Sequence, residues 1–78
     1  MKLKEGKGVA QYLQKRNLVK AYQEAKAHFE NDDFRIIDAK PRKPKSLGVY
    51  QFRITKKYRA FYTLTKEGAA VYKISDHQ

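Results

Sequence analysis

Two periodicities of apolar residues divide this chain into a helical first half and a strand-rich second half. Between Leu18 and Phe29, apolar residues recur every three or four positions, which is the spacing of one helical face. Asn17 stands before them as a candidate N-cap, and Asn31-Asp32-Asp33 follows as a turn-prone stop. The sequence therefore predicts a helix whose buried face is formed by Leu18, Ala21, Tyr22, Ala25 and Phe29.

A shorter amphipathic segment precedes this helix. Its apolar residues Val9, Ala10, Tyr12 and Leu13 follow Gly8 with helical spacing. We expect the two helical segments to pack against each other as a hairpin.

Three segments of the second half alternate between apolar and polar residues with a period of two. Residues 49–55, 58–64 and 69–76 show this alternation, which is typical of β-strands. Lys56-Lys57 forms a short link between the first two segments. Lys66-Glu67-Gly68 is a hairpin signal before the third, since glycine accepts the positive φ that such turns require. These segments predict an antiparallel meander.

The segment between the helices and the meander is predicted to be irregular. Ala39 to Gly48 contains Pro41 and Pro44, which exclude a helix and favour an extended connector. Phe34-Arg35-Ile36-Ile37 is a candidate for a short additional strand.

The alternation assigns a face of the sheet to each side chain. The helices are expected to cover the face that carries Phe52, Ile54, Ala60, Tyr62, Leu64, Tyr72 and Ile74. The opposite face then carries Gln51, Arg53, Arg59, Phe61, Lys73 and, by continued parity, His77. The predicted fold class is α+β, with a two-helix N-terminal hairpin packed on a small twisted antiparallel β-sheet.

Length and composition limit the possible functions. A chain of 78 residues supports one core, so we expect a single domain over residues 1–78. Cysteine is absent, which excludes disulfides and thiolate chemistry. No apolar run approaches the roughly 20 residues of a membrane span. The basic start of the chain lacks the apolar stretch of a secretory signal. We expect a cytoplasmic protein with no membrane partner.

The net charge indicates a polyanionic partner. Lys and Arg number 18 against 8 Asp and Glu, which gives a formal charge of +10. Between Asp38 and Glu67 the chain has nine basic residues and no acidic one. Such a surface is either an ordinary solvated face or a platform on which Arg binds phosphate and an aromatic ring stacks on a base. Nucleic acid is favoured over an anionic membrane surface or an acidic protein.

Three segments of the strand-rich half resemble the RelE/ParE superfamily of bacterial and archaeal toxins. They are Leu47-Gly48-Val49-Tyr50-Gln51-Phe52-Arg53-Ile54, Lys57-Tyr58-Arg59-Ala60-Phe61-Tyr62, and the closing strand Val71-Tyr72-Lys73-Ile74-Ser75-Asp76-His77. The order of the two predicted helices and the sheet also matches the family. One departure is the start of the chain: many relatives begin with a clear apolar strand, whereas residues 1–6 offer Leu3 alone.

The resemblance implies a microbial RNase fold and a function. The protein would be the toxin of a type II toxin–antitoxin system, a ribosome-dependent mRNA endoribonuclease (mRNA interferase) that inhibits translation. The ribose 2′-hydroxyl would attack the adjacent phosphate and leave a 2′,3′-cyclic phosphate, with no metal or other cofactor. The implied partners are mRNA on the ribosome and a cognate acidic antitoxin.

The resemblance also suggests roles for individual residues. Arg59 matches the arginine that the family uses on the scissile phosphate, and Arg53 matches a second basic position. His77 lies where several relatives place a catalytic His, and the usual pKa of this side chain, about 6.5, suits acid or base chemistry. Gln51 occupies a position where many active members have Lys or Arg. The expected RNA-binding residues are Gln51, Phe61, Lys43, Lys45, Lys56, Lys57 and Lys73.

Two alternative functions remain open on the sequence. Some members of the superfamily inhibit DNA gyrase, as ParE does, and have no nuclease activity. A small basic RNA-binding protein of the same fold, without catalysis, would also account for the charge.

Overall fold

The sheet is mixed and carries helices on one face. The computed structural model describes residues 1–76 and contains, in this part of the chain, five strands in the order β1-β5-β4-β3-β2. β5, β4, β3 and β2 pair antiparallel, whereas β1 pairs with β5 in parallel. The predicted α+β class is confirmed, but the prediction of a purely antiparallel sheet was wrong. In chain order the elements are β1 (Lys2–Glu5), α1 (Val9–Lys15), α2 (Val19–Glu30), β2 (Lys40–Pro41), a 3₁₀ turn (Lys45–Leu47), β3 (Val49–Arg53), β4 (Tyr58–Thr65) and β5 (Gly68–Asp76).

The first strand forms although it contributes a single side chain to the core. Leu3 is buried, and its amide donates to Glu30 Oε2 at the end of α2 over 2.9 Å. Lys2 pairs with Gly68, where an added Cβ would clash with the Lys2 carbonyl oxygen. β1 is therefore held by backbone pairing with β5 and by its contact with α2, which the apolar pattern does not reveal.

Both helices form where the periodicity predicts them, but the start of the second differs. Asn17 adopts a left-handed conformation (φ 56°) in the link between the helices, and Leu18 occupies the N-cap position with no side-chain cap. The predicted Asn17 cap was therefore wrong. α2 ends at Glu30, before the turn in which Asp32 has φ 61°, as expected. Within the described residues, neither helix is long and apolar enough to cross a membrane.

Aromatic rings form the centre of the core. The ring of Phe29 in α2 lies 5.3 Å from that of Phe34, 5.6 Å from Phe52 and 5.0 Å from Tyr62, measured between centroids. Phe29 and Phe52 have no exposed surface. The predicted helical face is buried, with Ala21 half-buried at its margin. Within residues 1–76, the buried core contains Leu3, Val9, Leu13, Leu18, Tyr22, Ala25, Phe29, Ile37, Phe52, Ala60, Tyr62, Ala69, Val71 and Ile74.

The segment after α2 folds into turns rather than a strand. Residues 34–38 are turn, and Asp38 has φ 52°, so the predicted additional strand over residues 34–37 was wrong. Ile37 is nevertheless buried, and its carbonyl accepts a hydrogen bond from the amide of Arg53 over 2.7 Å. The connector that follows is extended only in part: Lys40 and Pro41 pair with β3 as an edge strand, but Lys45–Leu47 form a 3₁₀ turn.

A β-bulge in β5 changes which of its side chains face the core. Phe61 pairs with Lys73, but its neighbour Tyr62 pairs with Val71, so Tyr72 is the extra residue. Before the bulge Ala69 and Val71 are buried, and after it Ile74 is buried.

Two residues of the predicted core face are exposed, for different reasons. Tyr72, which the unbroken alternation assigns to the core, is 47% exposed because the bulge shifts the parity of β5. Leu64 keeps the expected parity, since it pairs with buried Ala69, but it is 52% exposed near the end of β4. Ile54, at the start of the loop after β3, is half-buried.

Candidate nucleic-acid interface

The cross-strand register brings basic and aromatic residues together on the outer face of the sheet, the face turned away from the helices. One row across this face contains Lys40, Gln51, Phe61 and Lys73. The neighbouring row contains Arg53, Arg59 and Ser75. Of the predicted site residues, Gln51, Arg53, Arg59, Phe61 and Lys73 therefore have register positions on the same face of the sheet.

An Arg–Phe–Tyr cluster lies at the centre of this surface and consists of Arg42, Phe61 and Tyr72. The guanidinium carbon of Arg42 lies 4.4 Å from the centroid of the Phe61 ring, which is a cation–π contact. The Phe61 and Tyr72 rings are 6.5 Å apart and inclined by 35°. Tyr72 and Arg42 also line an open cleft of about 230 Å³ with Lys43, Leu47 and Val49. The cluster places the exposed ring of Tyr72 close to the positive charge of Arg42.

Arg59 is held in place by carbonyl groups of the loop between β3 and β4. Its Nη1 donates to the Thr55 carbonyl over 2.9 Å and lies 3.4 Å from the carbonyl oxygens of Lys56 and Tyr58. These bonds use one of the guanidinium nitrogens, and a guanidinium carries five N–H donors in all. Arg59 is half-buried, so its position is more restricted than that of a fully exposed arginine.

Arg53 points in a different direction from Arg59. Its Nη2 lies 3.4 Å from the carbonyl oxygen of Ile36 in the turn that follows α2. Arg53 is exposed and also lines a cleft with His28 and Glu24 of α2. The two arginines thus stand opposite each other on adjacent strands while their guanidinium groups contact separate loops.

The predicted lysines are distributed around the outer face rather than concentrated on it. Lys43 borders the cleft beside Tyr72, and Lys45 begins the 3₁₀ turn. Lys56 is exposed in the loop between β3 and β4. Lys57 Nζ lies 5.5 Å from the centroid of the Tyr58 ring, which packs edge-on against Tyr12 of α1. Lys57 therefore lies on the helix side of the sheet. His77 falls outside the described residues, so its predicted role remains a prediction.

Arg42 and Tyr72 are the residues of this surface that the sequence alone did not single out. Arg42 belongs to the basic run of the connector. It lies over Phe61 because the pairing of Lys40 and Pro41 with β3 continues to Arg42, whose amide donates to the Val49 carbonyl over 2.8 Å. Tyr72 was assigned to the core because nothing in the local sequence marks the bulge. The adjacent pair Tyr72-Lys73, two exposed residues in a row, is the structural signal.

A second cluster of ionisable groups lies on the opposite side of the molecule. The Tyr22 hydroxyl donates to Glu5 Oε2 over 2.6 Å, and Lys26 Nζ lies 3.0 Å from the same carboxylate oxygen. Burial, together with this carboxylate, raises the pKa of Tyr22 well above its usual range. The cluster ties β1 to α2, and its hydrogen bonds are mutually satisfied, which indicates a structural role.

The turn after α2 contains a smaller polar cluster. Hydrogen bonds from Asn31 and His28 hold the pKa of Asp33 below its usual value. The Asn31 amide lies 3.0 Å and His28 Nδ1 3.3 Å from Asp33 Oδ2. Residues 1–76 contain no group of three or more His, Cys, Asp or Glu side chains arranged to hold a metal ion.

No protein-family model and no curated protein matches this chain, so the interpretation of its function depends on the geometry of the structure. The arrangement of the outer face can bind phosphate through Arg and Lys and can stack a base on an aromatic ring.

Proposed function

We propose that this protein binds RNA on the outer face of its sheet and acts as a RelE-like toxin that cleaves mRNA on the ribosome. The observation that carries the proposal is the Arg42–Phe61–Tyr72 cluster, set in a face with Arg53, Arg59 and Lys73. Cations around an exposed tyrosine and a half-buried phenylalanine suit a ligand that is both polyanionic and rich in flat rings, as single-stranded RNA is.

The position of the first strand supports the family assignment that underlies the proposal. The resemblance implies a strand before the two helices, and β1 occupies that place in the chain at one edge of the sheet. The order β1-α1-α2 followed by the paired strands β3, β4 and β5 therefore agrees with what the resemblance implies.

In the proposed reaction Arg59 would act at the phosphate, with Arg53 opposite it on the neighbouring strand as the second basic residue. Attack by the ribose 2′-hydroxyl adds negative charge to the phosphoryl oxygens, and a guanidinium held in place stabilises this charge in the transition state. The Thr55 carbonyl holds one nitrogen of Arg59, and the guanidinium has further N–H donors that could bind the phosphate. His77 would serve as the acid or base. Neither role requires a metal or other cofactor.

A second candidate function is RNA binding without cleavage. It is favoured by the hydrogen bonds of Arg53 and Arg59, which both donate to main-chain carbonyls as structural arginines commonly do. In this case the outer face would still bind single-stranded RNA, but its arginines would hold the loops in place and bind the phosphate backbone without taking part in cleavage.

Toeprinting of translating ribosomes with added protein distinguishes these functions. We expect new mRNA ends at the decoding site and 2′,3′-cyclic phosphate at the 3′ side of each cut. RNA binding with intact mRNA would support the non-cleaving alternative. Inhibition of DNA gyrase with intact mRNA and no RNA binding would support a ParE-like function and contradict the proposal.

The proposed cellular setting has a separate test. A toxin of this kind would act in the cytoplasm and be neutralised by an acidic antitoxin, whose charge complements the +10 of this chain. Affinity purification from the native host should recover a small acidic protein in a stable complex, and its removal should restore growth inhibition. Recovery of ribosomes or RNA without such a protein would contradict the toxin–antitoxin assignment.

A further inference from the structure

We propose that Tyr72, at the bulge in β5, is a base-stacking residue for single-stranded RNA. The proposal rests on the proposed RNA binding and extends it to a residue and a contact type that this binding does not by itself require. It follows from three observations: the bulge, the neighbouring Phe61 ring, and two basic clefts that meet at Tyr72.

The bulge brings Tyr72 and Lys73 side by side onto the outer face. Tyr72 follows buried Val71 and faces outward, and because it is the extra residue of the bulge, Lys73 faces outward as well before Ile74 returns to the core. Close to half of its surface is exposed, although a tyrosine at a core position would bury most of its ring. Bulges commonly re-aim a side chain beside a functional site.

The Phe61 ring supports Tyr72 from the neighbouring strand. The two ring centroids are 6.5 Å apart with an inclination of 35°, and Arg42 covers Phe61 at 4.4 Å. This arrangement leaves Tyr72 as the more exposed ring of the pair, while Phe61 is half-buried between Arg42 and the sheet. A base would therefore stack on Tyr72, with Phe61 and Arg42 limiting the orientations of its ring.

Two open clefts place positive charge on both sides of Tyr72. The cleft of about 230 Å³ contains Arg42 and Lys43, and a second, of about 290 Å³, contains Lys7 and Lys73. Tyr72 lines both clefts. The geometry suits a nucleotide whose base lies on Tyr72 and whose flanking phosphates lie in the two clefts. Because a duplex keeps its bases stacked inside, the ligand must be single-stranded.

Fluorescence can report the contact directly, because the natural sequence contains no tryptophan. In the full-length Tyr72→Trp variant, titration with an eight-nucleotide 2′-O-methyl RNA should quench the single indole, since stacking on a base quenches its emission. The methylated ribose removes the 2′-hydroxyl, so the probe stays uncut. Val19→Trp is the matched control on α2, where the side chain is exposed on the helix side of the sheet, and its emission should stay constant.

Affinity measurements separate stacking from charge. Tyr72→Ala and Tyr72→Leu should each weaken binding of the RNA probe about tenfold, as for the loss of one base–aromatic stack, and leave its salt dependence unchanged. Both variants should bind an abasic oligonucleotide of the same length as tightly as the parent does. Retention of the parent's thermal unfolding midpoint shows that the exposed position has been changed without loss of the fold.

The outcomes distinguish this proposal from the proposed function. If the parent binds the RNA probe but Tyr72→Ala and Tyr72→Leu bind it equally well, the stacking proposal is wrong while RNA binding stands. Quenching of Tyr72→Trp by the abasic oligonucleotide to the same extent would also overturn it. If the parent binds neither probe, the proposed RNA binding fails and the stacking proposal fails with it.

Discussion

Arg53 and Arg59 lie directly opposite each other on β3 and β4, and their guanidinium groups hydrogen-bond to different loops. Like charges at directly paired positions destabilise a sheet. The two side chains reduce this repulsion by contacting the carbonyls of Ile36 and Thr55 at separate places. The register therefore places two arginines at paired backbone positions, while their charged groups contact separate loops.

Replacement of Arg59 tests the catalytic part of the proposed function. Arg59→Ala should reduce mRNA cleavage roughly 10²-fold or more, because a donor that stabilises the transition-state charge is lost. Its effect on the free energy of unfolding should stay within about 1 kcal/mol, since the lost bond to Thr55 is offset by relief of the repulsion with Arg53. Toeprinting measures the first quantity and urea denaturation the second.

Lys20→Ala is the control for this replacement. Lys20 is an exposed cation on α2, on the opposite side of the sheet, so its loss changes the net charge without touching the outer face. Cleavage by Lys20→Ala should match the parent. Full cleavage by a folded Arg59→Ala would contradict the catalytic role of Arg59.

The salt dependence of RNA binding tests the lysines around the cleft. Affinity should fall steeply between about 50 and 200 mM salt, because each neutralised phosphate releases counterions. Lys43→Ala should reduce the slope of log affinity against log salt by about one, as expected for the loss of one phosphate contact. Fluorescence anisotropy at several salt concentrations gives the slope. An unchanged slope in Lys43→Ala would remove this residue from the interface, and Lys20→Ala serves again as the control.

The raised pKa of the buried Tyr62 hydroxyl predicts a loss of folding stability at alkaline pH. Burial, with a smaller effect of the stacked Tyr50, raises the pKa of Tyr62 to about 12. The unfolded chain ionises this hydroxyl at about pH 10, so between about pH 10 and 12 the unfolded state binds fewer protons than the folded state. The contribution of Tyr62 to stability is therefore complete below pH 10 and decreases as the pH rises toward 12.

Chemical denaturation of Tyr62→Phe measures this contribution. The free energy of unfolding of the variant should decrease less than that of the parent over the same pH interval, because phenylalanine has no proton to lose. Comparison at each pH cancels the titration of the lysines, which both proteins share. A parallel pH dependence of Tyr62→Phe and the parent would show that Tyr62 does not contribute.

The close approach of β1 to β5 predicts a large effect at one glycine. Gly68→Ala would place a Cβ against the Lys2 carbonyl oxygen and would also require a φ of +152°. We expect a destabilisation of about 3 kcal/mol or more, because backbone must move at this contact. Amide hydrogen exchange should show faster opening of Leu3 and Lys4 than of β4.

Gly8→Ala separates the steric effect from the conformational one. Gly8 also has a positive φ, +86°, but an added Cβ would meet no atom within 4 Å. Its replacement should cost about 1 kcal/mol from backbone conformation alone. Equal destabilisation by the two replacements would mean that the contact between Lys2 and Gly68 is not the cause.

The amino-acid sequence by itself determined the elements that bury a repeating apolar face. The helical spacing from Leu18 to Phe29 and the alternation in residues 49–64 identify α2, β3 and β4, because each buried side chain in these segments follows the period of its own element. For the same reason the sequence predicts that Gln51, Arg53, Arg59 and Phe61 share one face, and the register confirms this.

Elements without a repeating pattern were decided by the tertiary structure. β1 contributes Leu3 alone to the core, and it exists because the edge of β5 and the end of α2 supply backbone and carboxylate partners from far along the chain. Residues 34–37 have the composition of a strand, but their place between α2 and β2 requires the chain to turn. Local propensity carries no information about either constraint.

In the candidate site, too, some residues could be predicted from the sequence and others were placed only by the tertiary structure. Charge and alternation predict Arg59 and Phe61, which lie on strands of regular register. Arg42 reaches the Phe61 ring because the connector pairs with β3, and Tyr72 reaches it because β5 contains one residue more than β4 at the bulge. A bulge is a property of two strands together, so the sequence of β5 places Tyr72 in the core while the pairing with β4 turns it to the surface.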